Sequence, residues 1–292
     1  MNFFFRGMGV MLVLLLLTGC TLFGNKNPSD ADFKVGVSEL QVNTLESTPP
    51  KTVYPNTNFK MIVTLDNQAA YEAINGMITI VGLDPYYLVI TPTEVQLDLL
   101  EGRTVLSPSG AKDFKEFDGQ VRKVGDSPSY DANFFIKTSY LSTVEYGETV
   151  CLNPSAYNIY DGGCTIKGKI SYRGQGAPLA VASMEEIVSP SLSSNGQVEF
   201  RFILKNKGQG TVTFVNLQKA KLGSQDLSCQ FVDSKGDPHT LEMDQDTGEG
   251  VLVCTATLKS LYSYTTTLNA VFSYGYELMV PKKVTIVDAT AR

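Results

Sequence analysis

Apolar and polar residues alternate along most of the chain after residue 32, and this pattern restricts the fold more than any other feature. It is clearest at 59–65, at 132–137 and at 198–204, which reads Val-Glu-Phe-Arg-Phe-Ile-Leu. Successive side chains of a strand point to opposite faces, so these segments predict strands with one buried face. The pattern returns at 77–81, 95–99, 165–172, 251–257, 266–274 and 278–287.

Residues that favour turns separate these segments at short intervals, for example Asn75-Gly76, Asp84-Pro85 and Asp118-Gly119. Many short strands with frequent turns are typical of a sandwich or a barrel. Only residues 68–74 have a helix-like composition, and we expect a connection with about one helical turn there. The chain of 292 residues is long enough for two domains of ordinary size.

The two halves of the chain resemble each other in two places. Residues 59–67 form a candidate strand that ends in Asn and is followed by a second strand, and residues 200–206 repeat this plan. Near the ends of the halves, 169–174 is similar to 271–275. We therefore expect a diverged tandem repeat with a boundary within 172–182.

The segment Asn206-Lys-Gly-Gln-Gly-Thr211, between two candidate strands, resembles the CARDB-type immunoglobulin-like domains of bacterial and archaeal surface proteins. Residues 179–287 carry the resemblance best, whereas the first half has Asp66-Asn67-Gln68-Ala69 at this place. The resemblance implies an all-β chain of two tandem immunoglobulin-like β-sandwich domains, at 33–176 and 177–292. Such a fold does not by itself define a function.

The first twenty residues have the layout of an export signal. Arg6 precedes the apolar residues 8–17, and small residues lead to Cys20. Leu17-Thr18-Gly19-Cys20 resembles the lipobox of prokaryotic lipoproteins. The resemblance implies a signal peptide at 1–19, a diacylglyceryl group on Cys20 and a lipidated tether at 20–32. The alternatives are a signal peptide without lipid and an uncleaved span, although a span needs about 20 apolar residues.

If Cys20 carries lipid, four of the five cysteines remain, and they form one local pair in each half. We predict the disulfides Cys151–Cys164 and Cys229–Cys254, as expected for an exported protein. Four cysteines permit three connectivities, and four free thiols are a further alternative. A zinc site is disfavoured because the chain has no Cys-x2-Cys pair and a single histidine.

The charge and the motifs exclude several classes of function. The net charge of -6, without a basic cluster, argues against nucleic-acid binding. Any histidine-dependent mechanism depends on His239, which lies in a turn-like segment. Neither Gly-x-Ser-x-Gly nor His-Glu-x-x-His occurs in the sequence. We therefore expect no enzymatic activity.

Acidic residues are densest at 242–249, where Glu242, Asp244 and Asp246 alternate with other residues. Calcium prefers six to eight oxygen ligands, so this segment is a candidate for weak calcium binding. The alternative is an acidic hairpin turn, because Thr247 occupies the position at which a twelve-residue calcium loop needs glycine.

These observations predict a lipoprotein held outside the cytoplasm, on the cell membrane or cell surface, by lipid on Cys20. We expect it to act as a non-catalytic binding or structural module for other envelope proteins. Tyrosines at strand ends and loops are candidates for a partner surface, and half-buried strand tyrosines are the alternative: Tyr54, Tyr86, Tyr87, Tyr157 and Tyr160. Other functions that the sequence permits are an ion or soluble-ligand receptor, with calcium at 242–249, and a carboxylate-dependent hydrolase.

Overall fold

The structure, a computed structural model, describes residues 29–122, 127–153, 164–189, 196–258 and 262–288. Cys20, Tyr157 and Tyr160 lie outside the described residues. One short helix, α1 (Asp30–Phe33), precedes the strands. The strands are β1 (Leu40–Thr44), β2 (Thr52–Val53), β3 (Asn58–Asn67), β4 (Ile74–Val81), β5 (Leu88–Thr91), β6 (Glu94–Leu97), β7 (Lys112–Val121), β8 (Ser129–Leu152), β9 (Lys169–Ser171), β10 (Leu179–Ser189), β11 (Gly196–Asn206), β12 (Thr211–Leu222), β13 (Gln225–Asp226), β14 (Ser228–Phe231), β15 (Thr240–Glu242), β16 (Glu249–Leu258) and β17 (Tyr264–Val287).

These strands form three sheets, and the prediction of an all-β fold is confirmed. Two smaller sheets have the orders β1-β3-β7-β5 and β14-β16-β11-β10-β9. The largest sheet has the order β13-β12-β17-β8-β4-β6; in addition, β15 pairs with β12 and β2 pairs with β17. Even-numbered side chains of β8 and β17, such as Phe134, Tyr146 and Phe272, are buried. Both smaller sheets therefore pack on one face of the large sheet and form two sandwiches in tandem.

The long strands β8 and β17 run through both sandwiches. They pair antiparallel over their full lengths, from Ser129 opposite Val287 to Leu152 opposite Tyr264. The first part of β8 also pairs with β4, and the first part of β17 also pairs with β12. Each strand thus begins inside the sheet of its own half and continues as the outer strand of the other half. The two sandwiches exchange strands reciprocally.

This exchange changes the predicted division of the chain. The boundary at 176/177 assigns whole strands to each half, but residues 278–287 complete the sheet of the first sandwich. Residues 142–152 likewise complete the sheet of the second sandwich. The ranges 33–176 and 177–292 therefore do not correspond to two separate hydrogen-bonded units.

The exchange agrees with the local sequence at the centre of the long strands. Ser139-Tyr-Leu-Ser-Thr143 contains no Gly, Pro, Asn or Asp, and β8 continues through this segment without a break. Gly275, opposite Leu141, serves packing instead of a turn. A β-carbon on Gly275 would lie 2.5 Å from Thr213 Oγ1 and 2.6 Å from Phe214 Cε1. The Phe214 ring packs directly on Gly275, where a side chain would leave it no room.

The first similarity between the halves has a structural basis, whereas the second does not. Asn67 ends β3 opposite Leu40, and Asn206 ends β11 opposite Leu179, so the two asparagines are equivalent. The predicted match of 169–174 with 271–275 is wrong. β9 is an edge strand of the five-stranded sheet, while residues 271–274 lie in the interior of the large sheet. Residues 68–72 also contain no helix, because they form the bend that leads into β4.

Candidate functional site

A cluster of buried tyrosines marks the centre of the exchanged strands. Tyr140 on β8 faces Tyr276 on β17, with ring centroids 5.6 Å apart and an edge-to-face angle. Tyr274 lies 6.4 Å from Tyr276, also edge to face. All three side chains are buried. They fill the junction between the two sandwiches, where the smaller sheets end.

The carboxylate of Glu39 is buried at this junction and is fully engaged. The Tyr276 hydroxyl donates a hydrogen bond of 2.5 Å to Glu39 Oε2, and the Gln209 N–H donates to both carboxylate oxygens at 3.1 and 3.3 Å. Tyr276 Oη in turn accepts from the Gly210 N–H at 2.7 Å. Burial is the main cause that raises the pKa of Tyr276 above its usual value, so the phenol keeps its proton. This arrangement holds three distant segments together.

The loop that carries the CARDB resemblance is shaped by the junction. Asn206 Nδ2 donates to the Gly210 carbonyl at 2.7 Å, and its Oδ1 accepts from the Gly208 N–H at 3.1 Å. A β-carbon on Gly208 would lie 2.1 Å from Tyr276 Oη, and one on Gly210 would lie 2.2 Å from the Glu277 carbonyl oxygen. Both glycines are therefore required by the close approach of the loop to β17.

In the first sandwich, Asn67 likewise forms hydrogen bonds with the backbone of the loop that follows it. Its Nδ2 donates to the carbonyls of Tyr71 and Leu100 at 2.9 Å, and its Oδ1 accepts from the Ala69 N–H at 3.1 Å. Asn67 is almost completely buried. The first half thus retains the asparagine of the Asn-Lys-Gly pattern and differs in the loop that follows it.

A second group of titratable side chains lies near the far end of β8. The hydroxyls of Tyr146 and Tyr172 are 2.7 Å apart, and the Tyr172 hydroxyl donates to Glu148 Oε2 at 3.2 Å. Glu148 also approaches the ammonium of Lys167 at 3.5 Å near the surface. Burial raises the pKa of Tyr172 to about 12. The group is a hydrogen-bonded path from the interior of the second sandwich to its surface.

Glu186 points into the same sandwich without a partner for one oxygen. Its side chain is buried, and Oε1 makes no hydrogen bond within the described structure. Burial raises the pKa of Glu186 to about 7. This carboxyl can therefore take up a proton near neutral pH, which affects the stability of the second sandwich.

The structure pairs Cys151 with Cys164 and Cys229 with Cys254, as the sequence predicts. The second pair joins directly opposed residues of β14 and β16. The first pair fixes the end of β8 to the chain that leads into β9. Both disulfides thus lie in the second sandwich, one at the end of β8 and one at the edge strand β14.

The acidic segment forms a tight turn instead of a cradle. Asp244 Oδ1 accepts the backbone N–H groups of Asp246 and Thr247, both at 2.9 Å. These bonds hold the pKa of Asp244 below its usual range. No group of three or more His, Cys, Asp or Glu side chains arranged for a metal ion occurs in the described part of the chain. One oxygen of Asp244 is therefore already used by hydrogen bonds within the turn. Calcium binding by Glu242, Asp244 and Asp246 stays a prediction.

The other candidate side chains are spread over the surface. His239 is exposed, with Nδ1 3.9 Å from Asp237 Oδ1. Tyr54 and Tyr86 are exposed, whereas Tyr87 stacks on Tyr130 with a centroid distance of 3.8 Å. Tyr86 packs edge to face on Tyr87 with a centroid distance of 4.9 Å, so these two of the candidate tyrosines lie together.

A surface that sequence reasoning missed lies on the outer face, which we define as the face of the large sheet opposite the two smaller sheets. Phe135 and Met279 are 41% and 51% exposed on neighbouring strands, and Met77 is 36% exposed on β4. Val81 pairs with Phe135, which pairs with Pro281. The sequence does indicate this surface, because Phe135 and Met279 are apolar at odd-numbered positions, whereas nearly all the buried residues of β8 and β17 are even-numbered. Together these side chains form an apolar patch on the first sandwich.

No helix in the described ranges is both long and apolar enough to cross a membrane.

No protein-family model matches the chain, and the comparison with curated proteins finds no match. Among solved structures, the chain is similar to the E. coli chaperone DraB, with 10% identity, a TM-score of 0.21, and coverage of 79% of this chain and 86% of that chain. It is also similar to the collagen adhesin of S. aureus, with 9% identity, a TM-score of 0.14, and coverage of 87% and 93%.

Proposed function

We propose that this chain is a surface lipoprotein, anchored through lipid on Cys20, that acts as a non-catalytic binding or structural module for other envelope proteins. The observation that carries the proposal is the reciprocal exchange of β8 and β17. At about 3.3 Å per residue, a strand of 24 residues is roughly 80 Å long, and it continues through both sandwiches without a hinge. A stiff body of this kind suits presentation of a surface at a fixed distance and orientation.

Several further features support a binding role outside the cytoplasm. Two disulfides fit an oxidising compartment. The buried carboxylate of Glu39 accepts hydrogen bonds from Tyr276 and Gln209 that hold the fold together, so it is not free to act as a catalytic acid or base. The apolar patch around Phe135 and Met279 offers area for a protein partner, since large exposed apolar side chains are common at such surfaces.

The anchor is tested by Cys20→Ala. We expect the variant to accumulate as an unprocessed precursor or to leave the membrane fraction. Normal processing together with retention in the membrane would contradict the lipid anchor. A non-reducing immunoblot serves as the folding control, because both disulfides still form in a properly exported chain.

The binding role is tested by photo-crosslinking in the producing cell. A photoreactive residue at Phe135 is expected to capture a discrete envelope protein. The same residue at Val232, which is 59% exposed and follows β14 in the second sandwich, is the matched control. Equal capture patterns at both positions would show that the patch has no binding role.

A further inference from the structure

The loop Thr104–Ser107 holds two apolar side chains in solvent. Leu106 is 96% exposed and Val105 is 39% exposed. The Thr104 N–H donates to the Ser107 carbonyl at 3.1 Å, and the Ser107 N–H donates to Thr104 Oγ1 at 3.0 Å. The loop is therefore closed by its own hydrogen bonds, so its apolar tip is displayed on a fixed support.

The beginning of the described chain is attached to this loop. Asp30 Oδ1 accepts the Val105 N–H at 2.8 Å. The Arg103 guanidinium lies 4.9 Å from the centroid of the Phe33 ring. These contacts place α1 directly beside the exposed tip, so the chain that precedes Ser29 starts there.

The residues that follow α1 fix the same segment to the body of the protein. Lys34 Nζ lies 2.6 Å from Glu145 Oε2 on β8. Val35 and Val37 are exposed and add apolar surface directly after the helix. The segment thus links the loop to the part of β8 that completes the second sandwich.

The distance along the chain from this place to Cys20 is short. Nine residue steps separate Cys20 from Ser29, and at about 3.3–3.6 Å per residue they span at most about 30 Å. If lipid on Cys20 lies in the bilayer, the loop tip is held near the membrane surface. A tether of this length gives an effective concentration on the order of millimolar, so even weak insertion becomes populated.

We propose that Val105 and Leu106 insert into the surface of the phospholipid bilayer that carries the anchor. This inference rests on the proposed lipid on Cys20. A bilayer is the occupant that the tether favours, because the tip lies within the reach of the anchor. The net charge of -6 gives no general attraction to anionic lipid. The contact is therefore apolar, and it persists at high salt.

The absence of tryptophan from the sequence allows a direct test. Leu106→Trp introduces a single fluorophore at the tip, and the exposure of Leu106 keeps the substitution compatible with folding. The chain from Cys20 to Arg292, produced without the signal, has one thiol besides its two disulfides. Maleimide-bearing lipid in phosphatidylcholine vesicles couples to that thiol. We expect blue-shifted emission and quenching by lipids brominated on their acyl chains, both unchanged at high salt.

Val232→Trp is the matched control, since Val232 is 59% exposed and follows β14 in the second sandwich. Its emission is expected to stay unshifted and unquenched on the same vesicles. Unshifted emission from Leu106→Trp after complete coupling would overturn the proposal, and so would equal quenching at both positions. Because the coupling is chemical, this result is independent of lipid addition in the cell, which Cys20→Ala tests separately.

Discussion

The hydroxyl of Tyr276 donates a 2.5 Å hydrogen bond to Glu39, a residue 237 positions earlier in the chain. Glu39 directly precedes β1 of the first sandwich, while Tyr276 lies at the centre of β17. The bond therefore joins the start of the fold to the strand that completes it. Gln209 adds a third segment, from the second sandwich, to the same carboxylate.

Tyr276→Phe is expected to destabilise the protein by about 1.5–3 kcal/mol, the usual range for a hydrogen bond to a charged group. The reason is that, among the described residues, the Gln209 N–H is then the donor that remains to Glu39. Chemical denaturation measures the change in the free energy of unfolding. Tyr274→Phe is the control, because the polar neighbour of the buried Tyr274 hydroxyl is Ser142 and not a carboxylate. Equal losses in both variants would contradict the role of the Glu39 bond.

The exchanged strands predict that both sandwiches unfold together. Phe200→Ala removes a fully buried ring from β11 in the second sandwich and is expected to cost about 3–5 kcal/mol. Since β8 and β17 run through both sandwiches, hydrogen exchange should accelerate in β3 of the first sandwich as well. Hydrogen exchange read by mass spectrometry measures both regions. Protection of β3 that stays at the wild-type level would show that the halves are independent.

Stability should fall as the pH rises from about 4.5 to 7 through the contribution of Glu186. Its folded pKa of about 7 exceeds the ordinary value of 4.5, so the native state binds more protons than the unfolded state in this window. The contribution is complete below the unfolded pKa and is lost as the pH passes the folded pKa.

Glu186→Gln is expected to remove this slope and to raise the melting temperature at pH 8 relative to the unmodified chain. Glu185→Gln, on the more exposed neighbour, should leave the slope in place. Melting curves between pH 4 and pH 8 provide the measurement. An unchanged slope in Glu186→Gln would assign the pH dependence to other groups.

Removal of the disulfide between β14 and β16 should cost on the order of 3 kcal/mol in the loop-entropy account. The double variant Cys229→Ala, Cys254→Ala opens a loop with a sequence separation of 25, while Cys151→Ala, Cys164→Ala opens one of 13. Denaturant titration of both variants under non-reducing conditions compares them. A cost near zero for the first pair would mean that the strand pairing alone orders β14.

The sequence predicts the strands well because one buried face imposes alternation on each of them. Phe59 to Leu65 and Val198 to Leu204 are strands as expected. The equivalence of Asn67 and Asn206 is also visible in the sequence, because both follow an alternating run and precede a bend.

The exchange of β8 and β17 cannot be predicted from the sequence. Alternation of apolar and polar residues shows which face of a strand is buried, but not which strand pairs with it. Residues 132–137 and 266–274 were therefore compatible with ordinary hairpins inside each half. The junction around Glu39 escaped prediction for a related reason. Its partners are a tyrosine and backbone N–H groups, and no spacing in the sequence connects them.

The order of the strands has a consequence for how this chain is made. Residues 278–287, which complete the first sandwich, are synthesised after every other strand of that sandwich. Until they arrive, the first half is an unfinished sheet whose β8 lacks its neighbour along one side. Folding of the first sandwich therefore waits for these residues, and a chain that stops before residue 278 leaves that sandwich without its outer strand.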